Sequence, residues 1–122
     1  MGLQALSRAL LKFRDERNWA QFHTLRNLIV SLNLEAGELL ELTQWKDDAG
    51  VDATLTDGST LEALRDECAD VLLYLLLIAE KAGIDLEEAA RSKLEKNAAK
   101  YPIEKSYGSS RKYTQLDRNA ED

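Results

Sequence analysis

One cysteine, one histidine and one proline are all that these 122 residues hold of those three types. A lone cysteine excludes a disulfide framework and any zinc site built on several thiolates. A lone histidine excludes a two-histidine metalloprotease motif and the paired Glu-x-x-His ligands of di-iron bundles. Long apolar runs are also missing. The most apolar stretch, residues 71–79, is about half of what a membrane-spanning helix needs. Residues 1–18 mix charged and apolar side chains and lack the apolar core of a secretion signal. The expected setting is soluble and cytoplasmic, with no membrane partner and with Cys68 as a reduced core residue. Positive charge is the minority, with 16 Lys and Arg against 22 Asp and Glu and a formal net charge of −6. That balance disfavours a nucleic-acid polymer as partner.

What is there is helical material. The length fits one domain that buries roughly two-thirds of its unfolded surface, and 44% of the residues are apolar. A first helix is predicted over residues 3–17, with Leu6, Leu10 and Phe13 on one stripe. A second is predicted over 25–45. A polar link, 46–58, contains Asp47, Asp48, Gly50 and the turn pair Asp57-Gly58. Ser59 reads as an N-cap, with Glu62 three residues on completing a capping box. The third helix then runs to about residue 81, where Gly83 is placed to end it. Asp85 and Glu88 form a second capping box for a fourth helix, which should stop near residue 100 because Pro102 follows. The expectation is an all-α fold, a four-helix-bundle-like protomer over residues 1–102 with an extended, mobile tail over 103–122. Two helices that are apolar nearly all round need more cover than one small chain offers, so the protomer is expected to form a homo-oligomer.

Helical projection singles out four carboxylates. At about 100° per residue, Leu25, Leu28, Ile29, Leu32, Ala36, Leu39 and Leu40 form one apolar arc on the second helix. Glu35 sits on its edge, and Glu38 lies between Leu34 and Leu42 in projection. On the third helix, residues 68–79 are apolar nearly all round, the mark of a helix buried on most sides. Glu67, Asp70 and Tyr74 nevertheless fall within about 60° of one another by the same rule. Buried carboxylates close together repel and need neutralising by cations, shared protons or a metal ion. Oxygen-only ligands suit Mg²⁺ or Mn²⁺, not zinc. Residues i and i+3 lie about 5–6 Å apart at Cβ, so two such pairs on facing helices would make a four-carboxylate cage. The same acidic residues also fit a solvated face with Glu67 capturing an Arg.

Glu35-Ala36-Gly37-Glu38, followed after 28 residues by Glu67-Cys68-Ala69-Asp70, resembles the ExxE…ExxD motif of the MazG-like, all-α nucleoside triphosphate pyrophosphohydrolases. Arg17-Asn18-Trp19-Ala20-Gln21-Phe22-His23, Gln44-Trp45-Lys46, Asp70-Val71-Leu72-Leu73-Tyr74, Lys100-Tyr101-Pro102 and Ser110-Arg111-Lys112-Tyr113-Thr114 are similar to its dCTP pyrophosphatase branch. The resemblance spans about residues 13–116. It implies conversion of a nucleoside triphosphate, dCTP or a modified dCTP, to the monophosphate and pyrophosphate, as nucleotide-pool house-cleaning. It implies a Mg²⁺ site of Glu35, Glu38, Glu67 and Asp70, with Mn²⁺ as a substitute. It also implies a dimer or a tetramer built as a dimer of dimers, in which a second subunit helps wall the base pocket. One departure is visible: where animal members of that branch carry a His nine residues before the first Trp, this chain has Leu10.

The remaining candidates each have two readings. Lys93, Asn97 and Lys100 share one face of the fourth helix, within about 60°; that face meets phosphates or it meets water. The resemblance favours phosphates for Lys93 and Asn97. Tyr74 bears on the sugar or fills the core. Trp19 and Trp45, near helix ends, stack on a base or cap the core. His23 contacts substrate or is structural. Arg111 and Lys112 close over the phosphates or form a mobile basic patch. Against the enzyme stands one other class of function, a non-catalytic helical oligomer that binds divalent cations or a protein partner.

Overall fold

The computed structural model describes residues 2–116. Every regular element among them is helical. Helix α1 spans Leu3–Glu16, α2 spans Leu25–Glu41, α3 spans Asp48–Asp52, α4 spans Gly58–Ala82, and α5 spans Leu86–Lys100. Two single-turn helices follow, α6 at Ile103–Ser106 and α7 at Tyr113–Leu116. Short 3-10 turns occupy Ala20–Phe22 and Ala53–Thr56. No helix among the described residues is long and apolar enough to cross a membrane.

The caps explain the boundaries. Thr24 opens α2, its side chain accepting from the Asn27 N–H at 3.1 Å, while Asn27 Nδ2 donates back to the Phe22 carbonyl at 3.1 Å. That pair ties the 3-10 turn to the start of α2. Asp85 opens α5 by accepting from the Glu88 N–H. Gly83 ends α4 in the left-handed region, φ 68°, where a side chain would be strained. The cap of α4 differs from the expectation. Asp57 is the N-cap, accepting from the backbone N–H and the hydroxyl of Ser59 and from the Thr60 hydroxyl. A carboxylate with two oxygens reaches three donors, and a serine hydroxyl cannot. The polar link is more structured than expected. Asp47 accepts from the Gly50 N–H at 2.8 Å and starts α3.

The described chain forms two compact units that part between Ile84 and Asp85. In the first, α2 packs along α4, and α1 also lies against α4. The core of this unit is small. Its buried residues are Leu28 on α2, with 2% exposure, Leu76, Leu77 and Ala79 on α4, and Thr54 in the 3-10 turn before α4. Much apolar surface of α2 stays open, including Leu34 at 64% and Leu40 at 69% exposure. Cys68, expected in the core, is exposed. It lies on α4 next to Glu67, about two turns before the first buried residue of that helix, Leu76. In the second unit the segment expected to be extended carries α6 and α7, and Leu116 is buried. The last part of the expected tail, residues 117–122, lies outside the described residues.

Candidate active site

Packing α2 along α4 brings the carboxylates together. Glu35 and Glu38 are one turn apart on α2, and Glu67 comes from α4. One oxygen from each lies within 4.8 Å of the others. Glu38 is exposed, whereas Glu35 and Glu67 are half-buried. Oε2 of Glu35 and Oε2 of Glu67 are both buried with no hydrogen-bond partner. Burial, the contact with Glu38, and the charges of Glu38, Asp70 and Glu67 all push Glu35 upward, to about 7. Burial and the neighbouring Glu38 raise Glu67 as well. Two orphaned buried carboxylate oxygens are what an oxygen-coordinating cation would satisfy. The donor set therefore fits a divalent ion, which Glu35, Glu38 and Glu67 could hold. Asp70 stands outside that close group, but its charge bears on both Glu35 and Glu67.

Asp70 also faces a second feature. It lines a cavity of about 210 Å³ together with Trp19, His23 and Tyr74. Leu10, Phe13, Arg14, Leu73 and Leu77 complete the wall. Trp19 is held firmly there. Its backbone N–H donates to the Arg14 carbonyl at 3.1 Å, and its ring meets Phe13 edge-on at 5.7 Å. Arg17 lies over the Phe13 ring at 3.7 Å. The turn into Trp19 needs a left-handed residue, which Asn18 supplies with φ 55°, a conformation Asn tolerates better than most. His23 Nδ1 is buried without a partner. Burial, aided by Arg14, holds its pKa below the usual histidine value. The ring is thus neutral near pH 7, with one free ring nitrogen.

The same helices are found in known proteins. The model of the MazG-like family matches residues 30–116, most of the chain. The chain belongs to the MazG-like family. Among curated relatives, dCTP pyrophosphatase 1 of Rattus norvegicus is 42% identical over 95% of this chain and 68% of its own length. The Homo sapiens dCTP pyrophosphatase 1 is 41% identical over 97% of this chain and 69% of its own. A solved pyrophosphatase from Archaeoglobus fulgidus superimposes with a TM-score of 0.69 at 39% identity, covering 82% of this chain and 92% of its own.

Of the other candidates in this MazG-like chain, Trp45 belongs to the first unit, and Lys93, Asn97, Lys100, Arg111 and Lys112 belong to the second. Trp45 follows α2 in the left-handed region, φ 64°, and is 95% exposed. It does not line the cavity around Trp19. Lys93 and Asn97 sit on α5 of the second unit, Lys93 exposed and Asn97 half-buried. Lys100, on the same helix, places its ammonium 4.9 Å from the Tyr113 ring centre. Arg111 and Lys112 precede α7, the Arg111 N–H donating to the Ser109 hydroxyl. The cavity residues Phe13, Arg14, Leu73 and Leu77 were not singled out as site residues from the sequence. Their spacing on α1 and α4 is that of ordinary core positions, so no separate signal marks them.

Proposed function

We propose that this chain is a nucleoside triphosphate pyrophosphohydrolase that acts on dCTP or a base-modified relative, releasing the monophosphate and pyrophosphate. The observation that carries this reading is the cage of Glu35, Glu38 and Glu67, with its two orphaned buried oxygens, joined through Asp70 to an aromatic cavity. The relatives named as dCTP pyrophosphatases support it. A triphosphate carries about four negative charges, which carboxylates alone would repel. Mg²⁺ is the proposed cofactor, with Mn²⁺ as a substitute, held by Glu35, Glu38, Glu67 and Asp70. When bound, such an ion neutralises phosphate charge and polarises the phosphoryl group under attack.

The residues then divide the work. Glu35 or Glu38 orients the attacking water and accepts a proton as its oxygen bonds to the α-phosphorus. The bond from that phosphorus to the bridging oxygen breaks, and pyrophosphate leaves. Positioning and charge neutralisation supply most of the rate in such transfers, which fits a site without a Ser-His or Cys-His pair. Trp19 and His23 hold the base in the cavity, and Tyr74 packs against the sugar. Trp45 is proposed as a further stacking surface, and Lys93, Asn97, Arg111 and Lys112 as phosphate contacts. The open apolar surface of α2 supports a homo-oligomer, a dimer or a dimer of dimers. A panel of deoxy- and ribonucleoside triphosphates, assayed for pyrophosphate release with and without Mg²⁺, tests this reading. The expected result is Mg²⁺-dependent release, greatest with deoxycytidine nucleotides. Release of orthophosphate instead would sink it.

A further inference from the structure

Trp19 walls the cavity while 43% of the residue stays exposed, so core packing alone does not fix its ring. The end of α1 supplies further contacts. Arg17 is the C-cap of that helix, a place where the free carbonyls and the helix dipole favour a cation. Its Nη1 donates to the Phe13 carbonyl, one turn back, at 2.9 Å. The guanidinium carbon lies 3.7 Å from the centre of the Phe13 ring and 6.0 Å from that of Trp19. Both distances are within the reach of about 6 Å over which a cation is attracted to an aromatic face. The two rings meet each other edge-on, with 76° between their planes, the arrangement that sets the positive edge of one ring toward the negative face of the other. Arg17 itself does not line the cavity.

We infer that Arg17 is a positioning residue: its guanidinium, tied to the α1 backbone, holds the Trp19 ring against Phe13 as a wall of the cavity, without touching the substrate. The consequence for activity rests on the base stacking on Trp19, as proposed above. A freer indole must be ordered when the ligand binds, which weakens binding and leaves the chemical step alone. For a cation over aromatic rings at an exposed site, the expected loss is about three-fold in KM. Shape matters as well as charge. A planar guanidinium can stack on a ring and bond a carbonyl at once, whereas the ammonium of a lysine is a point charge on a flexible stem.

The test is a double-mutant cycle. Steady-state kinetics with dCTP and Mg²⁺ are measured for the natural chain, Arg17→Met, Arg17→Lys, Trp19→Leu and the double variant Arg17→Met, Trp19→Leu. Arg17→Met should raise KM about three-fold with kcat unchanged, and Arg17→Lys should lie between the two. In the Trp19→Leu background, Arg17→Met should change kcat/KM no further. A KM unchanged by Arg17→Met, or a three-fold effect that persists without Trp19, overturns the inference. The ring itself is read by the fluorescence anisotropy of Trp19, well below Tm and in a Trp45→Phe background because the chain has two Trp. Anisotropy should fall in Arg17→Met; equal anisotropy also overturns the inference. Failure of the catalytic reading looks different: the natural chain releases no pyrophosphate from dCTP. The anisotropy then decides alone whether Arg17 holds the ring.

Discussion

Glu35 on α2 and Glu67 on α4 each direct one carboxylate oxygen, Oε2, into the protein without a hydrogen-bond partner. The two helices pack closely, yet their contact sets like charges together: Glu67 pushes the pKa of Glu35 up, and Glu38 pushes that of Glu67 up. Such an arrangement persists only if it serves something other than the stability of the free chain. Glu67→Gln should therefore act in opposite directions on stability and activity. Without divalent ions it should raise Tm by a few degrees, because one repelling charge is gone. With Mg²⁺ it should lower kcat by at least about 100-fold. Melting curves and pyrophosphate release on the same preparation check both signs.

The pH dependence follows from the same carboxylates. Glu35 in the folded chain titrates at about 7, above its ordinary value of 4.5. Between those values the folded state holds a proton that the unfolded state has lost, so stability falls as pH rises through that window. His23 works the other way. Its lowered pKa keeps the folded ring neutral below 6.5, where the unfolded ring is charged, so its share of stability increases as pH rises toward 6.5. Glu35→Gln separates the two. In metal-free buffer the natural chain should lose Tm between about pH 5 and 7 relative to the variant. Saturating Mg²⁺ should stabilise the natural chain more at pH 8 than at pH 5, because the ion competes with protons for Glu35.

Trp45 combines a left-handed backbone with a fully exposed ring. That conformation costs an ordinary residue roughly 1–2 kcal/mol, and outliers of this kind gather at functional sites. Trp45→Gly should leave Tm unchanged or slightly raised while KM rises about ten-fold, as expected from the loss of one stacking surface. Equal KM in the two proteins would remove Trp45 from the site. A large fall in Tm would make its role structural.

Asp57, not Ser59, caps α4. Asp57→Ala should lower Tm clearly more than Ser59→Ala does, because the carboxylate serves three donors. The donors also hold the Asp57 pKa below its usual value. Its contribution is thus complete above about pH 4, and is lost as pH falls through the lowered value. Thermal melts of both variants at neutral and acid pH give the comparison.

Much of this was legible because helices obey local rules. Gly83, Asp85 and Pro102 mark ends that the structure keeps, and the i, i+3 spacing of Glu35 and Glu38 puts both on the side of α2 that meets α4. Other features depend on what the chain meets in space. Asp57 lies one residue before the start of α4, and a sequence rule favouring serine caps overlooks its reach to three donors. The left-handed backbone of Trp45 follows from the tight turns after α2, which composition does not encode. Leu10 and Phe13 carry an ordinary apolar stripe, and only the fold shows that this stripe walls the cavity beside Asp70. The exposure of Cys68 shows how a nearly all-apolar run overstates burial when a helix meets few neighbours.

The central claim is that the Glu35–Glu38–Glu67 cage and Asp70 direct hydrolysis to the α-phosphorus. Its most direct test is to identify the products of dCTP turnover by ³¹P NMR, with and without Mg²⁺, in the natural chain and in Glu38→Gln. The expected products are dCMP and pyrophosphate, formed only with the divalent ion and nearly abolished in the variant. Formation of dCDP and orthophosphate, or turnover undiminished in Glu38→Gln, would contradict it.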